Sequence, residues 1–82
     1  MKIEVQRIHR LNAEGSLKGF ADVSIEDSFL IKGLRIVSGK EGLFVSMPRE
    51  MKKNGSWYNT VVILNEKTKI LLSNLVLSAY TE

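Results

Sequence analysis

The sequence predicts an α+β domain: an antiparallel β-meander of about four to five strands, followed by one C-terminal α-helix, working as a dimer. Three stretches carry that prediction. Leu17, Gly19, Ala21, Val23 and Ile25 alternate without a miss against Lys18, Phe20, Asp22, Ser24 and Glu26, the period of a half-buried strand. Gly42-Leu43-Phe44-Val45-Ser46-Met47-Pro48 is a short apolar run that starts at a glycine and stops at the only proline, which reads as a buried central strand. Leu71, Leu72, Leu75, Val76 and Ala79 recur at helical spacing and form one broad stripe that should pack on the sheet.

The first strand spans Ile3 to Leu11, but its parity breaks: Ile3 and Val5 alternate together, while Ile8 falls on the other face. One bulge near Gln6-Arg7 returns all three to one side. Asn12-Ala13-Glu14-Gly15 supplies turn chemistry before the second strand. Asp27-Ser28 is a compact turn, and Phe29 to Val37 forms the third strand. Symmetric closure of both loops sets Ala21 opposite Leu34 and Gly19 opposite Ile36 on the inner face. The outer face then presents Phe20 beside Arg35 on one side and Arg7 on the other, with His9 and Lys18 close by, and Phe29, Ile31 and Val37 as apolar outer groups. An aromatic flanked by cations can stack a base while the charges meet phosphate; the plainer reading is cation–π packing on a sheet surface.

Ser38 to Gly42 is a turn. It is not a phosphate loop, because Leu34 stands where an earlier glycine belongs and Glu41 where Ser or Thr would ligate magnesium. After the proline, Arg49, Lys52 and Lys53 against Glu50 give a loop of charge +2, and Asn54-Gly55 marks its turn. This is the candidate phosphate-contacting loop. Trp57 to Leu64 reads as a further strand or extended arm, in which Trp57 and Tyr58 could stack bases, the plainer reading being that they close a hairpin. The run Val61-Val62-Ile63-Leu64 needs cover on both sides, which a partner subunit would give. Asn65 caps the helix, with Glu66 favourable in its first turn. Ile70 and Leu77, a heptad apart on the side away from the stripe, form a second apolar ridge that again suggests a subunit contact. Lys67 and Lys69 fall on different sides of the wheel.

A domain of 82 residues buries little on its own, which also favours a dimer. With no cysteine, neither disulfides nor thiolate metal sites are available, and the expected setting is cytoplasmic. Charges at Lys2 and Glu4 rule out a signal core there, and no apolar run reaches membrane-spanning length. A net charge of +3 permits a polyanion partner without demanding one. His9 is the only histidine, with no spaced carboxylates to complete a metal site. The serines lack a nucleophile elbow, and Asp22, Glu26 and Asp27 sit in or beside a turn. The expectation is a non-enzyme without cofactor or metal.

The run Gly42 to Pro48 resembles the hallmark Gly-Leu-Phe-Val-Ala-Met-Pro of the SpoVG family, the stage V sporulation and septation regulators of bacteria. The likeness extends collinearly through Arg7, Arg10, Asn12, Gly15, Ala21, Ser24, Arg35, Gly39, Gly55, Asn65, Thr68, Val76, Leu77 and Tyr80. It implies a dimer built from a twisted antiparallel sheet with a C-terminal helix, acting as a regulator that binds DNA and RNA. It places nucleic-acid contacts on the basic loop after the Met-Pro, here Arg49 to Lys53, and on the helix start, here Lys67 to Lys69. Arg7 and Arg35 are supporting candidates from the sheet.

The departures touch function. Glu50 and Met51 stand where the family carries Lys-Arg, Lys69 replaces an arginine, Leu71 replaces a second basic residue, and Val62-Ile63 replaces His-Pro. A lysine keeps the charge but not the planar fork that reads guanine. Two function classes therefore stand: a dimeric nucleic-acid-binding regulator, and a dimeric protein-interaction module of cell division without direct nucleic-acid binding.

Overall fold

A computed structural model describes residues 1–12 and 14–82. Four strands, β1 (Ile3–Arg10), β2 (Leu17–Ile25), β3 (Phe29–Gly39) and β4 (Gly42–Ser46), form one antiparallel sheet in the order β1-β2-β3-β4. β5 (Arg49–Met51) and β6 (Trp57–Asn59) pair as a separate two-stranded hairpin, and α1 (Glu66–Thr81) closes the chain.

The parity break in β1 is resolved by a bulge between Val5 and Arg7, after which Ile8 joins Ile3 and Val5 on the core side. Ala21 pairs with Leu34 and Gly19 with Ile36 as expected, but Ile25 pairs with Phe29 across a three-residue turn at Glu26-Asp27-Ser28, and a bulge in β3 restores the expected register. The inner face, with Ile3, Ala21, Val23, Leu34 and Ile36, receives Leu72 and Val76 of α1. These side chains are the buried core. Burial of this apolar area is what holds helix to sheet.

The β2–β3 turn takes positive φ at Glu26 (53°) and Asp27 (52°), and the Ser28 N–H donates to the Ile25 carbonyl at 2.9 Å. Lys2 ties the N-terminus to this turn, its ammonium 2.8 Å from Asp27 and 3.2 Å from Glu4. Of the turn expected over Asn12 to Gly15, Ala13 lies outside the described residues; beyond it the Leu11 N–H donates to the Lys18 carbonyl at 2.9 Å.

Several expectations are corrected. Lys32 and Gly33 together oppose Asp22, a bulge in which Gly33 adopts φ 81° and donates its N–H to the Asp22 carboxylate at 3.1 Å. The extra residue shifts Ile31 from the outer face to the core side, opposite Val23. β4 is an edge strand, not a central one, and its Phe44 is half exposed. Ser38 and Gly39 belong to β3, leaving Lys40 and Glu41 as a two-residue turn. β6 ends at Asn59; residues 60–65 continue as an arm without ladder pairing, since β6 bonds only β5.

Asn65 caps α1, its side-chain oxygen accepting from the Thr68 N–H at 3.0 Å. The buried stripe centres on Leu72 and Val76, with Leu71 exposed at its edge. Leu77 packs against the core beside Leu75 and Tyr80 instead of forming an outward ridge with Ile70. Near its C-terminus the helix is covered over a wider arc of its circumference than at its start.

Candidate nucleic-acid interface

The hairpin after the proline gathers the basic loop. Arg49 pairs with Asn59, Glu50 with Tyr58 and Met51 with Trp57. At its tip the Gly55 N–H donates to the Lys52 carbonyl at 3.0 Å, and Gly55 takes φ 89°. The Asn54 side-chain oxygen accepts from the Ser56 N–H at 3.0 Å and hydroxyl at 2.7 Å. A turn followed by a left-handed glycine is the usual three-residue hairpin loop, which is why Asn54-Gly55 specifies it. At the base, Thr60 donates its N–H (2.9 Å) and hydroxyl (3.1 Å) to the Pro48 carbonyl.

Because side chains alternate along a strand, the hairpin has two faces. On one, the Arg49 guanidinium lies over the Trp57 ring, 5.4 Å from its centroid. On the other, the Lys52 ammonium lies 5.7 Å from the Tyr58 ring centroid, and the Tyr58 hydroxyl donates to Glu50 at 3.1 Å. That bond to a carboxylate raises the Tyr58 pKa above its ordinary 10.0, because it favours the protonated phenol. Lys53 stands in the turn. The rings thus orient the cations, and the loop's one acid is engaged by a phenol. Every residue from Arg49 to Thr60 is exposed.

The helix start adjoins this hairpin on one side. An open recess of about 230 Å³ is lined by Phe44, Ser46 and Met47 of the β4 end, Asn59 of the hairpin, Val62 of the arm and Lys69 of the helix. Lys69 is therefore brought towards the hairpin base, where Asn59 pairs with Arg49. Lys67 is exposed in the first turn of the helix and does not line the recess.

Arg7 and Arg35 are elsewhere, on the sheet face turned away from the helix. Phe20 pairs with Arg35 as the register requires, but its partner on β1 is His9, while Arg7 pairs with Asp22. The β1 partner of Phe20 thus lies two residues beyond the expected Arg7, one more than the bulge at Val5/Arg7 shifts. Among the described residues neither the Arg7 nor the Arg35 guanidinium sits over the Phe20 ring. Lys32 is a residue that sequence reasoning missed here. Gly33, a glycine inside a strand, was the available signal for the bulge that presents it.

Among the described residues no cluster of three or more His, Cys, Asp or Glu side chains could hold a metal ion. No helix is long and apolar enough to cross a membrane.

The chain is thus a small α+β domain, a four-stranded meander with a C-terminal helix, that carries a charged and aromatic hairpin beside the helix start. Comparison with known proteins places it further. The sequence model of the SpoVG family matches residues 1–82, and the chain belongs to that family. A protein of Archaeoglobus fulgidus that carries the name septation protein SpoVG is 37% identical over 76 residues, covering 93% of this chain and 89% of its own. Proteins named likewise from Listeria monocytogenes (31% over 80 residues; 98% and 78%) and Bdellovibrio bacteriovorus (29% over 80 residues; 98% and 73%) are similar along nearly the whole chain. These relatives are named for septation.

Proposed function

We propose that the chain is a cytoplasmic regulatory protein that binds nucleic acid as a homodimer, gripping phosphate with Arg49, Lys52 and Lys53 of the hairpin and with Lys67 and Lys69 of the helix start. The observation that carries this reading is the hairpin itself: three cations on one projecting element, two of them held over aromatic rings. Cations fixed this way lose less freedom on meeting a phosphate row than unsupported lysines do. The absence of an arginine at Glu50, Met51 and Lys69 makes this a phosphate-positioning surface more than a base-reading one.

The test is fluorescence anisotropy of labelled duplex DNA at two salt concentrations. Binding should weaken as salt rises, and Lys52→Ala with Lys53→Ala should lower the log–log salt slope by about one per contact removed. Unchanged affinity and slope in that variant would overturn the hairpin assignment. The protein-interaction reading is favoured by the apolar arm, where Leu64 is 96% exposed, and would gain if low-salt binding were absent altogether.

A further inference from the structure

On the sheet face away from the helix lies an open concavity of about 310 Å³, lined by Arg7, His9, Phe20, Asp22, Lys32 and Gly33. Its construction follows from two bulges. The β1 bulge sets Arg7 across from Asp22 and His9 across from Phe20. The β3 bulge is fixed by the Asp22 carboxylate accepting from the Gly33 N–H, and it turns Lys32 towards the same hollow. Asp22 is the only acid in the lining, and one of its oxygens is already used.

The cations here are uncommitted. Among the described residues neither Arg7, Lys32 nor Arg35 forms an ion pair. Arg35, across from Phe20 on the same face, has its guanidinium Nε buried without any acceptor. A buried donor left unpaired is costly, so a side-chain shift that exposed the Arg35 guanidinium to an anionic oxygen would relieve that cost. Phe20 is half-buried, anchored in the sheet with its ring side opening on the hollow.

We infer that this face is a second nucleic-acid site, taking a single-stranded segment with one base stacked on Phe20 and its flanking phosphates met by Arg7, Lys32 and Arg35. The inference rests on the reading of the chain as a nucleic-acid binder, but uses different residues on the opposite side of the sheet. The chemistry suits single strands. A base must be unstacked to lie on a ring set in a shallow hollow, and a duplex keeps its bases paired. A flat sheet with one aromatic gives little base discrimination, because every base has a π-face.

The probe is a labelled oligouridylate of about six nucleotides, within the span one such platform covers. Full-length protein is titrated with it by anisotropy, alongside labelled duplex DNA and uridine monophosphate as competitor. Phe20→Leu keeps an apolar side chain on the sheet but removes the ring; it should weaken oligouridylate binding roughly tenfold and leave duplex binding unchanged. Arg7→Gln, at an exposed position that should not disturb folding, should weaken the oligouridylate and reduce its salt slope by about one. The Arg35 Nε–H resonance should shift on addition of the oligouridylate. Displacement by the monophosphate at comparable concentration would overturn a strand-binding site in favour of a mononucleotide pocket.

Oligouridylate binding that is lost in the Lys52→Ala, Lys53→Ala variant but intact in Phe20→Leu and Arg7→Gln would overturn the inference while sustaining the hairpin. Loss of duplex binding in none of the variants, with oligouridylate binding lost in Phe20→Leu, would sustain the sheet site and sink the hairpin.

Discussion

The Arg10 guanidinium caps the far end of the helix: its Nη2 donates to the Tyr80 carbonyl at 2.7 Å and to Ala79 at 3.1 Å, and its carbon lies 5.5 Å from the Tyr80 ring centroid. The helix has no basic residue in its own last turn. The charge that complements its C-terminal dipole therefore comes from the end of β1, which makes Arg10 a clasp between the first and last elements of the chain.

Replacing Arg10 by Ala removes that clasp, and should cost about 1–2 kcal/mol by the loss of charge-assisted bonds to helix carbonyls. For a domain of this size each 1 kcal/mol lowers Tm by about 4–8 °C, so a thermal melt resolves it. Arg10→Lys should recover only part, since lysine lacks the fork that reaches several carbonyls together. A melt unchanged in Arg10→Ala would mean the helix end is held by packing alone.

Leu72 is fully enclosed where α1 meets the sheet. Leu72→Ala should destabilise by about 2–5 kcal/mol in urea unfolding, the cost of lost burial plus a cavity. Leu71→Ala, at the exposed edge of the same helix, should cost well under half as much. Equal effects would contradict the helix orientation.

Two glycines should respond in opposite ways. A Cβ at Gly19 would stand 2.6 Å from the His9 carbonyl oxygen, a backbone atom that can move only if β1 moves. Gly19→Ala should cost about 1–3 kcal/mol. Gly15 has open space around it and no positive φ, so Gly15→Ala should be neutral or stabilising by about 0.4–1 kcal/mol through the unfolded chain. Chemical denaturation of the pair measures both.

Tyr58 and Glu50 make the hairpin report on alkaline pH. The raised phenol pKa means the folded state holds the proton more tightly than the unfolded chain, whose value is near 10.0. The contribution is complete below the unfolded pKa and disappears as pH rises through the folded one. Ultraviolet titration of the phenolate should show one tyrosine shifted upward, absent in Tyr58→Phe and returned towards 10.0 in Glu50→Gln. No change in Glu50→Gln would mean the hydrogen bond is not kept in solution.

The proposed homodimer has a natural seam in the exposed arm. Val62 is 62% and Ile70 54% exposed, on either side of Leu64. Sedimentation should find a dimer at micromolar protein, and Leu64→Lys with Ile70→Lys should return it to monomer by burying unpaired charge in that seam. Persistence of the dimer would place the seam elsewhere.

Much of the architecture follows from the sequence alone, and the reason is periodicity. The alternation of β2 and the parity break at Ile8 fix which residues share a face and place the bulge beside Arg7, while Ala21 meets Leu34 only because the β3 bulge offsets a three-residue turn. Asn65 and Asn54-Gly55 act within a few residues of themselves, so a cap and a turn are specified without any distant contact. Tertiary structure alone decided the second bulge, because Gly33 is held by a carboxylate eleven positions earlier in the chain. That bond sends Ile31 inward and gathers Lys32, Arg7 and Phe20 around one hollow. The sheet order made β4 an edge, and the hairpin geometry brought Lys69 to one flank while leaving Lys67 out. Local patterns set parity; which side of an element another element covers is settled only when the whole chain packs.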